Sequence, residues 1–429
     1  MFSEFCVSIV ERIKRSNLVK DSFWALLGSV LGKGLSLLAG ILVARFLGKE
    51  MYGQYGLLKN TLLNIAVFST LGLGYTGTRF IAKSIDSGVS RLIRLIYLIT
   101  LIASSIMALL VFAFSSQLAF FIKAPALDGA LRLTAVIIVF NAINTTQIGI
   151  LSGFKAFKRI ARNNIYAGVV TFLFSGLFSY FWALDGALWA LFISTCFNVI
   201  INYISVNHFR IVSDNRNTEN NHIQTKEIIS FSIPIALQES MYTVVHFLSS
   251  YLLITYADYG ELGITSAAAQ WSGMLLFIPG VLKNVMLSYF SSSNSTISLR
   301  KKMIIINGVS TFGPWLVVAA LSSFIASFYG ETFNNLNVVL IITCLSAVFS
   351  SISSVIVYEF ISEGRNWAMF CLRLIRDGAS LLIAWFFLAR ITSVQGSIVS
   401  ATVYTAVAGL FMVLLLLISR KLDYQRNTE

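Results

Sequence analysis

Charged side chains are scarce in this sequence. Asp, Glu, Lys and Arg make up 12% of its 429 residues, about half the share found in a soluble globular domain. The four cysteines, Cys6, Cys196, Cys344 and Cys371, are scattered and mostly inside apolar runs. None stands at ligand spacing from a histidine, so neither a disulfide framework nor a metal site is indicated. The sequence has no phosphate-cradling glycine loop, metal-ligand cluster or Ser/His/Asp arrangement, so the common enzyme signatures are missing and no cofactor is expected. The segment 1–21 has no cleavage site and lacks the charge-then-apolar order of a signal peptide. It reads as a short amphipathic cytoplasmic lead-in.

Apolar residues are abundant, at 56%, and they come in runs long enough to cross a bilayer, which takes about 20 residues. About twelve spans follow from these runs: Ser22–Phe46, Leu57–Phe80, Leu92–Phe114, Leu131–Gly153, Asn164–Leu184, Ala187–Asn207, Glu227–Tyr256, Ile264–Tyr289, Met303–Phe328, Leu336–Phe360, Trp367–Ala389 and Gln395–Ser419. The fold class expected is therefore all-α, an integral membrane protein with membrane lipids as its surroundings. A net charge of +13 would suggest nucleic acid in a soluble protein. Here the basic residues sit mostly between spans, where topology explains them, and no nucleic-acid partner is expected.

With an even number of spans both termini share one side of the membrane. The loops on that side hold most of the Lys and Arg, among them Lys14, Arg94, Arg159, Arg210, Lys301 and Arg420, whereas the other side has Arg45, Lys49, Lys123, Arg132 and Arg390. Excess Lys and Arg mark the cytoplasm, so both termini are expected inside. The outer loops are short, the longest being Ser115–Ala130. The longest inner loop, His208–Lys226, is polar and Asn-rich and follows the sixth span. It divides the chain into a cytoplasmic segment 1–21, an N-lobe 22–207, a linker 208–226, a C-lobe 227–419 and a tail 420–429. A shift of 210 positions pairs Gly53 with Gly263 and Asn60 with Gln270. Two six-helix lobes of parallel repeats around a central cavity are expected.

Polar residues inside the spans are the candidate site. In the first span Ser22, Ser29, Lys33, Ser36 and Gly40 follow helical spacing. A charge at the depth of Lys33 costs roughly 2.5–3.5 kcal/mol on insertion scales, so it calls for a partner, water or a function. Asn60, Asn64, Gly74 and Thr78 line up in the second span, with Arg79 closing it. Glu239, Tyr242, His246 and Ser249 share a face of the seventh, with Pro234 a turn before. Ser266, Gln270, Gly273 and Asn284 share one in the eighth, with Lys283 beside them and Pro279 as a kink. The plainer readings are close helix packing for Gly28, Gly32 and Gly40 and snorkelling for Lys59, Arg45 and Lys283. His246 reads equally as an interior hydrogen-bonded histidine, and Lys33 with Glu239 as a structural pair. Asp258, Glu261 and Glu331 are expected to be solvated in outer loops. Glu359 and the Arg376–Asp377 doublet are expected at headgroups.

The opening block carries Ala44, Arg45, Phe46, Leu47 and Gly48, then Tyr52–Gly53, then Gly74 and Arg79 in the phrase GYTGTRFIAKS. It resembles the polysaccharide flippases of the multidrug/oligosaccharidyl-lipid/polysaccharide exporter superfamily. The resemblance implies a flippase for undecaprenyl-diphosphate-linked oligosaccharide, such as an O-antigen repeat unit, in the bacterial inner membrane. It implies alternating access by two lobes whose spans 1, 2, 7 and 8 line the cavity, with a polysaccharide polymerase and a chain-length regulator as protein partners. A cationic lining suits a diphosphate. Within it Lys33 is expected to attract the substrate and Glu239 to carry a proton. A drug exporter or lipid-II flippase of the same superfamily is the alternative reading, and a glycan polymerase or ligase a more distant one.

Overall fold

The computed structural model describes residues 17–62, 74, 77–78, 80–81, 89–214, 241, 243–280, 282, 296–362, 365–390 and 395–428. Among them the chain is helical with no strand. The helices are α1 (Asn17–Gly56), α2 (Ser90–Ala113), α3 (Ser115–Phe121), α4 (Asp128–Gly153), α5 (Phe157–Asp214), α6 (Thr243–Tyr256), α7 (Tyr259–Leu275), α8 (Thr296–Ala320), α9 (Ser322–Ser327), α10 (Leu336–Ser362), α11 (Asn366–Leu388) and α12 (Gly396–Thr428). Seven helices among the described residues are long and apolar enough to cross a membrane. The chain is an all-α, multi-pass membrane protein, and each of the seven long apolar helices overlaps at least one of the runs predicted as spans.

Two helices are longer than one span and break where the backbone requires it. In α5 the break is at Trp182 and Ala183, the latter at φ 45°. It separates the fifth and sixth spans. Gly186 follows, where a Cβ would run into the carbonyl oxygen of Phe178, so the returning helix can start this close only with glycine. In α1 the break is at Gly48, φ 70°, a left-handed conformation that glycine adopts without strain. Past it the helix resumes and ends in a π-helical stretch, Leu57–Leu62.

The chain forms two compact units, Met1–Ala39 with Leu58–Thr243 and Gly40–Leu57 with Val244–Glu429. The division differs from whole lobes in that the second part of α1 belongs to the second unit. The expected linker 208–226 begins as helix, because α5 runs on to Asp214; the rest lies outside the described residues. In the first unit α4 packs on α2 and α5, and Ile93, Ile96, Ile150 and Leu151 close the core at one end. In the second unit α10 is central, packed by α7, α8 and α12, with Ile356, Phe360, Phe411 and Leu415 in its core.

Each unit repeats one local design. A long helix (α2, α8) is followed by a short one (α3, α9) opening on a buried serine, Ser115 or Ser322, and then by the next long helix (α4, α10). The long helices are tied by a buried hydroxyl pair, Thr100 with Thr146 at 3.1 Å and Thr311 with Ser351 at 2.9 Å. The stretch Ser115–Ala130, expected to be an outer loop, is thus a folded connector. It is held to α4 by Arg132 Nε donating to Ser115 Oγ at 3.3 Å and Ser116 Oγ donating to Asp128 at 3.2 Å, while an Arg132–Asp128 ion pair at 2.9 Å within α4 orients both partners.

Candidate functional site

On α1, within the first unit, Lys33 and Ser36 are exposed. The glycine just before Lys33 explains how the helix can pack there: a Cβ on Gly32 would come within 2.7 Å of the Asn164 carbonyl oxygen, and one on Gly168 within 3.0 Å of that of Gly32. Backbone-to-backbone packing of α1 on α5 therefore requires small residues. Ser36 Oγ returns its hydrogen bond to the Gly32 carbonyl at 3.0 Å, which satisfies the hydroxyl inside an apolar helix. Ser29 and Asn60 are helical in backbone. Asn64, Arg79, Glu239, Tyr242, Lys283 and Asn284 lie outside the described residues.

In the second unit Gln270 is a packing residue. Its Nε2 donates to the Tyr52 hydroxyl. Its amide occupies the space that a side chain at position 40 would fill, since a Cβ on Gly40 would come within 2.8 Å of Nε2. Gly40, read from the sequence as part of a polar stripe, is the seat of this amide. Tyr52 is 1% exposed and its ring packs edge-on against Phe333 at 5.9 Å. Trp271 donates its indole N–H to the Tyr329 hydroxyl at 2.9 Å, a packing role. His246 is half-buried on α6, and its backbone carbonyl accepts from Ser250 at 3.0 Å. Ser249, expected on the same polar face, meets Tyr404 of α12 at 2.5 Å.

Two carboxylates are placed differently from the sequence reading. Glu261, expected to be solvated, is 3% exposed in the first turn of α7. Its carboxylate accepts from the backbone N–H and the hydroxyl of Ser397 at 2.8 and 2.6 Å, which offsets the cost of burial. Asp258 caps the same helix by accepting from Glu261 N at 2.7 Å. Glu359, expected at headgroups, is buried, and its two carboxylate oxygens both accept from Nη1 of Arg300, at 3.0 and 3.2 Å. In the first unit an unforeseen amide network joins three spans. Asn163 donates to Asn202 and Ser205 at 2.7 and 2.9 Å, Asn202 to Asn144 at 2.8 Å, and Arg159 to Ser205 at 3.1 Å. The signal for it was asparagine recurring inside apolar helices. Among the described candidates, then, Lys33 and Ser36 stand together on one unit, while on the other Gln270 hydrogen-bonds Tyr52 and His246 stands half-buried on α6.

A family model described as "Polysaccharide biosynthesis protein" matches residues 18–293. No curated protein matches the chain. Among solved structures it is similar to a multidrug resistance MATE family transporter of the MOP superfamily in an inward-facing conformation, at 16% identity over 94% of this chain and 96% of that one, TM-score 0.74. It is similar also to the lipid II flippase MurJ in an inward closed conformation, at 16% identity over 94% and 87%, TM-score 0.70. A MOP superfamily transporter from Pyrococcus furiosus is likewise similar, at 14% identity over 96% and 97%, TM-score 0.59. At these identities the likeness is one of fold.

Proposed function

Since the chain belongs to the family of polysaccharide biosynthesis proteins, we propose that it is a flippase that moves undecaprenyl-diphosphate-linked oligosaccharide, such as an O-antigen repeat unit, across the bacterial inner membrane. The observation that carries this reading is Lys33, an exposed cation on an apolar helix inside the family-matched region. Such a cation is retained at a cost in free energy and pairs by charge with phosphate. The protein acts as a transporter with both termini in the cytoplasm, rather than as an enzyme, and a polysaccharide polymerase and a chain-length regulator are its partners in glycan assembly. Lys33, Ser29, Ser36, Asn60, Asn64 and Arg79 are the substrate-facing positions of the first spans. Tyr242, His246, Lys283 and Asn284 are those of the seventh and eighth. Glu239 is the proton carrier, because a carboxyl in a partly desolvated site is neutralised at modest cost. A proton drives alternation only by binding the two states unequally.

The test is deletion of the gene with analysis of both surface polysaccharide and lipid-linked intermediates. The expected result is loss of the polymer with undecaprenyl-linked units accumulating at the cytoplasmic face. Unchanged polymer with loss of drug efflux would identify an exporter instead, and arrest of peptidoglycan synthesis a lipid II flippase. Reporter fusions after Asn217 and at the tail should read cytoplasmic, and one near Ala126 external.

A further inference from the structure

A cleft of about 390 Å³ opens on the first unit between α2, α4 and the last third of α5, and none of the candidate site residues lines it. Its polar lining is Arg94, Tyr97, Tyr203, Asn207 and Arg210, and its apolar lining includes Leu98, Leu101 and Ile143. The polar groups gather at one end. Arg94 is in the second turn of α2, and Arg210 is one turn from the end of α5. The apolar residues lie further along the spans, and Leu98 and Leu101 are 57% and 48% exposed. On a membrane protein such a surface faces hydrocarbon.

Two guanidinium groups line this one cleft, and neither forms an ion pair with a carboxylate whose side chain is described. The Arg210 Nε is buried without a hydrogen-bond partner. A buried donor left unpaired is costly, and two like charges lining one cavity add repulsion. An anion bridging them removes both penalties, and the planar guanidinium matches phosphate oxygens in geometry. The neighbouring apolar wall says what carries that anion. A polar mouth near the span ends, continuing into an exposed apolar groove, has the polarity profile of a phosphate-headed lipid lying beside a helix bundle. We propose that this cleft binds the phosphate head of an anionic membrane lipid, with Arg94 and Arg210 sharing its charge and Leu98, Leu101 and Ile143 holding the start of its chain. Both a diacyl phospholipid and a polyprenyl phosphate carry this chemistry.

Native mass spectrometry of the full chain in a mild detergent tests it, with dioleoylphosphatidylglycerol, undecaprenyl monophosphate, dioleoylphosphatidylcholine and inorganic phosphate as separate titrants. A saturable adduct is expected with at least one anionic lipid, and which one binds tighter names the source. Arg94→Gln/Arg210→Gln should weaken it about tenfold or more, the loss expected for charge-assisted hydrogen bonds. Equal adducts with the zwitterionic lipid or with inorganic phosphate, or undiminished binding by the folded double variant, overturn the assignment. Photoreactive analogues of both anionic lipids, used on the unaltered protein, make the test independent of the variant's folding. Labelling of residues 94–101 or 203–210 is expected, and labelling confined to other segments overturns the site.

Discussion

Gly53 of α1 and Gly263 of α7 pack backbone against backbone. A Cβ on Gly53 would stand 2.9 Å from the Gly263 nitrogen, and one on Gly263 3.1 Å from the Gly53 nitrogen. Each Cβ would also run into a carbonyl oxygen, that of Tyr259 or of Lys49. These are the positions that a shift of 210 residues aligns. The position is glycine in both halves for one reason, which is that each is the other's neighbour.

The first prediction follows from what blocks the added carbon. A backbone carbonyl in a helix cannot swing aside as a flexible side chain can, so Gly53→Ala or Gly263→Ala forces the helices apart. Overpacking of this kind costs about 1–3 kcal/mol, and the thermal unfolding midpoint in detergent should fall accordingly. Gly273→Ala in the same α7, where nothing lies within 4 Å of the added atom, is the control and should leave the midpoint unchanged or raise it. Equal midpoints for Gly263→Ala and Gly273→Ala would remove the close approach as the explanation.

The Arg300–Glu359 pair has side-chain exposures of 7% and 4%. Taking away one member of a buried pair strands the other charge, at about 3–5 kcal/mol. Glu359→Leu should therefore lower stability strongly, and Arg300→Met/Glu359→Leu should recover part of the loss, because no stranded charge is left. A double variant less stable than Glu359→Leu alone would mean that the pair does more than neutralise itself.

Tyr52 and Gln270 give a third test, of packing against substrate contact. Tyr52→Phe deletes the acceptor of a buried amide donor, which costs about 1–3 kcal/mol. Gln270→Leu added to it should cost less than the sum of the single changes, with a coupling of about 0.5–3 kcal/mol. Full additivity in the melting data would show that the two side chains do not depend on one another and would reopen a substrate role for Gln270.

The sequence was informative about some features and silent on others, and the reason is range. Spans are read from local apolar length, and the break in α5 comes at Trp182 and Ala183, inside the last residues of the run predicted as the fifth span. Several residues of the phrase carrying the family resemblance are packing positions: Ala44 and Tyr52 are 0% and 1% exposed, Gly48 bends the helix, and Gly53 meets Gly263. Partner identity is not local. Glu359 finds Arg300 across 59 residues, and Glu261 finds Ser397 across 136. A carboxylate near a span end looks the same in sequence whether it faces water or a buried donor, so Glu261 reads as solvated and Glu359 as a headgroup contact. Gly40 was likewise legible as small, but not as the seat of an amide 230 residues away.

Lys33 carries the functional prediction. It is exposed on an apolar helix whose packing contact with α5 is made through Gly32, so truncating it leaves that contact intact. Lys33→Ala should then abolish or sharply reduce surface polysaccharide at normal protein level, with lipid-linked units accumulating behind the block. Lys33→Arg keeps the charge but replaces a compact ammonium with a planar fork, and should retain part of the activity. Glu239→Gln should impair transport more at high external pH than at low. Glutamine mimics the protonated carboxyl, the form that low pH favours, so the variant departs most from the parent at high pH, where the parent's carboxyl is ionised. Full polysaccharide output from Lys33→Ala at normal expression would sink the substrate role and make this lysine a structural residue. The same variant losing output together with its protein would point to folding instead, which is why protein level in the membrane fraction is measured alongside the polymer.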